Sequence, residues 1–213
     1  TGGSLRIPAA LCGLVGFKST QGVVPLAGAY PLSQSLDSIG AITRSVDTAI
    51  AAHQVMSQRP VAHWIKPLSH VTLGIATTVH LDDLDPTVSQ AWARTLSRLV
   101  RAGVTLVEMP LPALSAISEC QSVAPLVAIE AHAWHRDRLM DDEVVLDPRV
   151  KARMQTGQVA TAADYLAILR ARQTLQHVVF GAVADVDAMI APTVPMVAPP
   201  IASVAPGAER DAA

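Results

Sequence analysis

The stretch from Val71 to Val107 places the tightest constraint on how this chain folds. Val71 to Ala76 is a short apolar run of strand length. Asp85 then offers a side-chain oxygen to cap a helix, and Pro86 suits the first helical position, where an N–H would have no partner anyway. Val88, Trp92, Leu96 and Leu99 follow on one helical face. Gly103 closes that helix, and Val104 to Val107 reads as a second strand stopped by Pro110 and Pro112. Strand, helix and strand in so short a span predict a βαβ unit with parallel strands and a right-handed crossover.

Similar signals continue on either side. Ser45 and Asp47 start a helix through Ala49, Ile50 and Val55, and Thr161 with Asp164 resembles a capping box ahead of a helix from Tyr165 to Val183. Leu114 to Leu139 reads as helical, broken or kinked near Pro125. Ala188 to Ala191 reads as a short buried strand running into Pro192, and Glu209 to Ala213 as the start of a further helix. The expected fold class is therefore α/β, with a mixed, largely parallel sheet covered by helices on both faces. Gln58 to His70, with Pro60 and Pro67, is expected to be a surface connector rather than a domain boundary.

Composition narrows the functional classes. Half of the 213 residues are apolar and 16% are charged, which is ample for a globular core. A net charge of -2 gives no electrostatic reason to bind nucleic acid or an acidic membrane surface. No apolar run approaches the roughly 20 residues that span a bilayer. Two cysteines, Cys12 and Cys120, are too few for a disulfide framework, so a reducing cytoplasm is the expected compartment; Cys12, in an apolar run, is expected to be a packed thiol. His132 and His135 stand three apart near Glu130 and Asp137, but the HExxH pattern is missing and Trp134 intervenes, so this segment reads as a helix face and no metal is expected. Arg170, Arg172, Gln173 and Gln176 read as a solvated helix face.

The chemistry is carried near the start of the chain. Gly2 and Gly3 precede Ser4, and two glycines let the backbone approach a bound carbonyl closely, so that successive N–H groups can point at one oxygen. A serine hydroxyl is a weak nucleophile at neutral pH and needs a neighbouring base with something to orient it.

The longer string Thr1 to Thr20, TGGSLRIPAALCGLVGFKST, resembles the signature of the amidase signature family, a Gly-Gly-Ser-x-Arg-x-Pro-Ala stretch followed by Cys-Gly and Gly-x-Lys-Pro-Thr. The likeness extends through Ser35-Leu36-Asp37-Ser38-Ile39-Gly40 and Thr43-Arg44-Ser45-Val46, and more loosely through Leu84-Asp85-Pro86, Asp147-Pro148-Arg149-Val150 and Ala191 to Pro195. Ser19 and Ala41 depart from it where proline is frequent, and both are expected to be tolerated as surface-turn changes. The resemblance covers essentially the whole chain, which is expected to be a single partial domain: a signature region at 1–57, the βαβ unit at about 71–107, and a helical and C-terminal strand region at about 113–213.

By that resemblance Ser4 is the nucleophile, the backbone N–H groups of Thr1, Gly2 and Gly3 with that of Ser4 form the oxyanion hole, and Arg6 supports the loop. The family's triad adds a lysine and a bridging serine with a cis peptide bond, both upstream, and none of Lys18, Lys66 and Lys151 stands in the required context. The chain is thus expected to be an internal fragment, inactive alone. The loop Ala27 to Leu32 is implied to border the acyl pocket, with Tyr30 shaping substrate choice, and Arg153 falls where some glutamine-using relatives hold a substrate carboxylate.

The implied activity is hydrolysis of a small carboxamide through a serine acyl-enzyme, with no cofactor. The expected partners are a small-molecule amide and, in a homodimer, a second copy. An allophanate hydrolase-like enzyme and the glutamine-hydrolysing subunit of a tRNA-dependent amidotransferase are the alternatives; Val23 to Leu32 looks more like the stand-alone amidases.

Overall fold

A computed structural model describes residues 2–61, 66–116, 121–205 and 207. The chain forms two compact units, one from residues 1–59, 122–165 and 198–213, the other from 60–121 and 166–197.

The second unit is built on a parallel sheet of three strands in the order β4-β3-β5, where β3 is Thr72–Ala76, β4 is Thr105–Met109 and β5 is Ala188–Ile190. Thr72 pairs with Thr105 and Leu73 with Ala188. Between β3 and β4 runs helix α3, Pro86–Arg101. Asp85 caps it by accepting the Thr87 N–H at 2.7 Å, and Gly103, at φ +92°, turns the chain back into β4. Val88, Trp92, Leu96 and Leu99 are half-buried while every other residue of α3 is exposed, which is the stripe the sequence spacing requires. At the start of β3, Asp187 accepts the Thr72 N–H at 2.8 Å and pairs with Lys66 at 2.6 Å; these bonds hold its carboxyl below the usual aspartate value. β5 ends at Ile190 and is exposed to half-buried rather than buried, because the neighbour it pairs with lies on one side only, at β3.

The first unit contains α1 (Arg6–Leu11), the antiparallel pair β1 (Val15–Lys18) and β2 (Gly40–Thr43), and α2 (Val46–Ser57), capped by Ser45, whose hydroxyl accepts the Thr48 N–H. Beyond these come α4 (Leu126–Met140) and α5 (Pro148–Gln155). Asp147 caps α5 through the N–H groups of Arg149 and Val150, and the reciprocal bonds of Thr161 and Asp164 start α6 (Ala162–Ala182). The chain passes between the two units within α6, after its first turn. Ala131 and Leu139 of α4 pack with Met154 of α5, and Leu32 and Leu146 close over them.

Four expectations are corrected. Pro125 is not a kink inside a helix: it stands at the position just before α4, which begins at Leu126, and Pro112–Ala116, where the expected helix starts, is a 3-10 turn. Cys12 is exposed, because it is the residue at which α1 ends and the chain turns outward. Ser19 is buried, with its hydroxyl 3.4 Å from the Ile39 carbonyl, and Ala41 is a strand residue paired with Phe17; neither is a surface turn. Cys120 and the helix start expected at Glu209 lie outside the described residues, as does part of the connector Gln58 to His70.

Candidate active site

Ser4 lies in the turn that leads into α1. The shape of that turn is set by Gly3, whose φ of +123° is one that L side chains avoid, and whose carbonyl accepts the Ile7 N–H at 2.9 Å to open the helix. A Cβ at Gly3 would also come within 2.7 Å of Ile7 Cδ1, the end of a side chain that can shift, so it is the dihedral that demands glycine. Gly3 is buried, yet Ser4 is exposed and its hydroxyl has no hydrogen-bond partner among the described residues. A Cβ at Gly2 would meet nothing within 4 Å. Arg6, the first residue of α1, is exposed and forms no ion pair among the described residues; Thr1 lies outside them.

A second constellation joins the loop after Tyr30 to α4. The Asp37 carboxylate accepts the N–H groups of Leu32 and Ser33 at 2.8 and 2.9 Å, which folds the loop on itself. Glu130 of α4 reaches into the fold from the other side. One carboxylate oxygen accepts the Ser33 hydroxyl at 2.6 Å and the Ser35 N–H at 3.0 Å, and the other accepts the Tyr165 hydroxyl at 2.9 Å. Burial pushes the Glu130 carboxyl up, but the bonds from Ser33, Ser35 and Tyr165 outweigh it and hold the group below its ordinary value. Burial and the bond to this carboxylate raise the Tyr165 phenol in turn.

Five residues along the same helix, His135 is buried, at 4% exposure, and binds the start of the loop. Its Nε2 lies 2.7 Å from the Pro31 carbonyl and its ring stacks on Tyr30 at 5.0 Å between centroids. Tyr30 itself is 63% exposed, its hydroxyl 3.3 Å from His135 Nδ1 and 2.9 Å from the donating Arg138 Nη1. Two cavities of about 500 and 450 Å³ share Pro31, Leu32, Gln34 and Trp134 as lining; Glu130 and Tyr165 line the first, Tyr30 and Asp37 the second.

Tyr30 thus lines one of these two cavities, and Arg153 lines neither. Arg153 is exposed in the last turn of α5 and makes no ion pair among the described residues. No hydrogen bond among the described residues joins Ser4 to either of them. Lys18 donates to the adjacent Ser19 carbonyl at 2.7 Å and Lys66 is engaged by Asp187. Sequence reasoning missed Glu130 and His135 as holders of the loop. The signal was available for His135, which falls in the stripe Ala128, Ala131, His135, Leu139 that α4 buries.

The model of the Amidase family matches residues 1–211. The chain belongs to this amidase signature family. It is 34% identical over 201 residues to the 2-amino-5-chloromuconic acid deaminase of Comamonas testosteroni, covering 92% of this chain and 43% of that protein. It is 33% identical over 214 residues to an indoleacetamide hydrolase of Agrobacterium vitis, covering 92% of this chain and 45% of the relative. A solved amidase structure superposes with a TM-score of 0.85 at 31% identity, over 94% of this chain and 45% of that one. The chain spans less than half the length of the relatives it matches. Its α/β architecture, a parallel sheet flanked by helices, is that of the amidase signature fold. No described helix is long and apolar enough to cross a membrane.

Proposed function

We propose that the protein carrying this chain hydrolyses a carbon–nitrogen amide bond, with Ser4 as the acylated nucleophile. The observation that carries this reading is the turn at Gly3 and Ser4: a buried glycine in a left-handed conformation presents an exposed serine hydroxyl that has no partner among the described residues, with Gly2 in open space beside it. Ser4 Oγ attacks the amide carbonyl, and backbone N–H groups of Gly2, Gly3 and Ser4, with that of Thr1, hold the developing oxyanion. Amine or ammonia leaves, and water resolves the ester to a carboxylate. The lysine and bridging serine that take the Ser4 proton are, by the family resemblance, N-terminal to Thr1. Lys18 and Lys66 do not fill that role, because each ammonium is already engaged elsewhere.

The indoleacetamide hydrolase and the deaminase among the relatives support an amide or amine-releasing reaction on a small organic molecule. We read the two compact units as parts of one amidase domain, since the family match runs across both. A cytoplasmic location agrees with the scarcity of cysteine. Arg6 acts as support for the Ser4 turn, from the first position of α1. Ammonia release across a panel of primary amides tests the reading in the intact protein. Ser4→Ala is expected to cut turnover by on the order of a thousandfold or more; retained turnover would remove Ser4 from the mechanism.

A further inference from the structure

A third cavity, of about 610 Å³, opens between α4 and the 3-10 turn Thr156–Val159 that follows α5. No residue of the loop after Tyr30 lines it; it shares only Ile129 and Ala133 with the first cavity and nothing with the second. Buried Gly157 sets its geometry by seating the turn directly on the α4 backbone, where a Cβ would run into the Ala128 carbonyl. Gln155 and Gln158, on either side of that glycine, are thereby brought to His132 and Arg136, which stand one turn apart on α4. The chemistry of this wall is one-sided. The Arg136 guanidinium can only donate, the His132 imidazole offers an N–H in either charge state, and the two carboxamides donate through their NH₂ groups. No acidic side chain lines the cavity, and none of these four polar side chains has a partner among the described residues. Glu130, on the same helix, is taken up by Ser33, Ser35 and Tyr165, and Asp137 lies outside the lining.

We infer that this cavity binds a small organic carboxylate, with its charged end on Arg136 and His132 and its apolar body along Ile129 and Met140. The planar guanidinium matches the two oxygens of a carboxylate, and the glutamines add neutral donors without a competing charge. Ile129, Met140 and Ala160 supply the apolar surface that a bare inorganic anion would leave uncovered. Arg136 is exposed and His132 half-buried, so the attraction is sensitive to salt. This is a matter of binding apart from the reaction at Ser4, and it does not depend on the amidase reading.

Calorimetric titration of the intact protein with hexanoate and with 1-hexanol, which has the same chain length without the charge, tests the inference. Arg136→Gln is expected to weaken hexanoate about five- to tenfold, the worth of one charge-assisted hydrogen bond at an exposed site, and to leave hexanol within about twofold. Ala160→Leu, which fills the cavity and removes no charge, should weaken both. The kcat and KM for an amide substrate should stay within about twofold in Arg136→Gln. No hexanoate binding by the unsubstituted protein, an equal loss of both ligands in Arg136→Gln, or undiminished hexanoate binding in Ala160→Leu each overturns it. A KM that rises in step with the hexanoate Kd assigns the carboxylate to the reaction site and overturns it as well. A protein that binds hexanoate through Arg136 yet releases no ammonia from any amide loses the amidase reading and keeps this one.

Discussion

The two units reach order by different routes. In the second unit the helical connection from β3 to β4 is set by neighbours in sequence: Asp85 accepts the Thr87 N–H at the start of α3, and Gly103 turns the chain between α3 and β4. In the first unit the loop after Tyr30 is held by residues 97 and 105 positions away, Glu130 on Ser33 and His135 on Tyr30. Local rules therefore specify a scaffold, and a polar network of long sequence separation specifies a cavity wall. The second arrangement is the more easily broken, because a buried donor without its acceptor costs more than the bond itself contributes.

Glycine substitutions test this contrast with the largest expected effect. In the first unit a Cβ at Gly157 would run into the Ala128 carbonyl and come within 2.7 Å of Ile129 Cα, both on the α4 backbone. In the second, a Cβ at Gly74 would meet the sulfurs of Met109 and Met189, the ends of flexible side chains. Gly157→Ala is expected to cost about 3 kcal/mol in denaturant unfolding, and Gly74→Ala about 1 kcal/mol or less. Equal costs would mean that the helix backbone yields as easily as a methionine.

Next in size is Glu130→Ala, which strands the donors of Ser33, Ser35 and Tyr165 and is expected to cost about 2 kcal/mol. The intact carboxylate has an acid signature of its own. Its folded value is lowered, so the stabilisation is fully present above the ordinary glutamate value of 4.5 and is lost as the pH falls through the depressed one. The protection of the Ser35 N–H against hydrogen exchange, relative to its intrinsic rate, should therefore fall on acidification in the wild type, and at neutral pH in Glu130→Ala. Unchanged protection would dissolve the distinction between the two units.

A smaller loss is expected from Asp85→Ala, about 1 kcal/mol, confined to the first turn of α3. Smallest of all is the effect of the matching Asp-Pro start at α5. There Arg149 clasps the Asp147 carboxylate and its backbone N–H adds a bond, so the group titrates at about 2, although it is exposed. The cap is in place above the ordinary aspartate value of 3.8 and is released only as the pH falls through about 2. An NMR titration placing Asp147 near the ordinary value would show that the Arg149 clasp is absent in solution.

Much of the fold was legible because the signals were local. Asp85 with Pro86, Ser45, and Thr161 with Asp164 all do in the structure what their side-chain chemistry requires. Pro125 misled because a proline inside a long apolar stretch reads equally as a kink or as a start, and periodicity does not choose between them. The turn at Gly3 was legible from the glycine pair that precedes Ser4. The loop network was not, since the stripe that buries His135 names no partner for it, Glu130 reads as part of a solvated helix face, and only the path of the chain brings Ser33 and Tyr30 to them.

Gly3 is glycine because the fold admits nothing else, whereas Gly2 answers to no such demand within the chain. A library of substitutions at these two adjacent positions should separate abundance from activity. Variants at position 3 should disappear from the folded pool, while variants at position 2 should accumulate normally and fail only when challenged with substrate, which makes position 2 a direct reading of selection for chemistry unmixed with selection for folding.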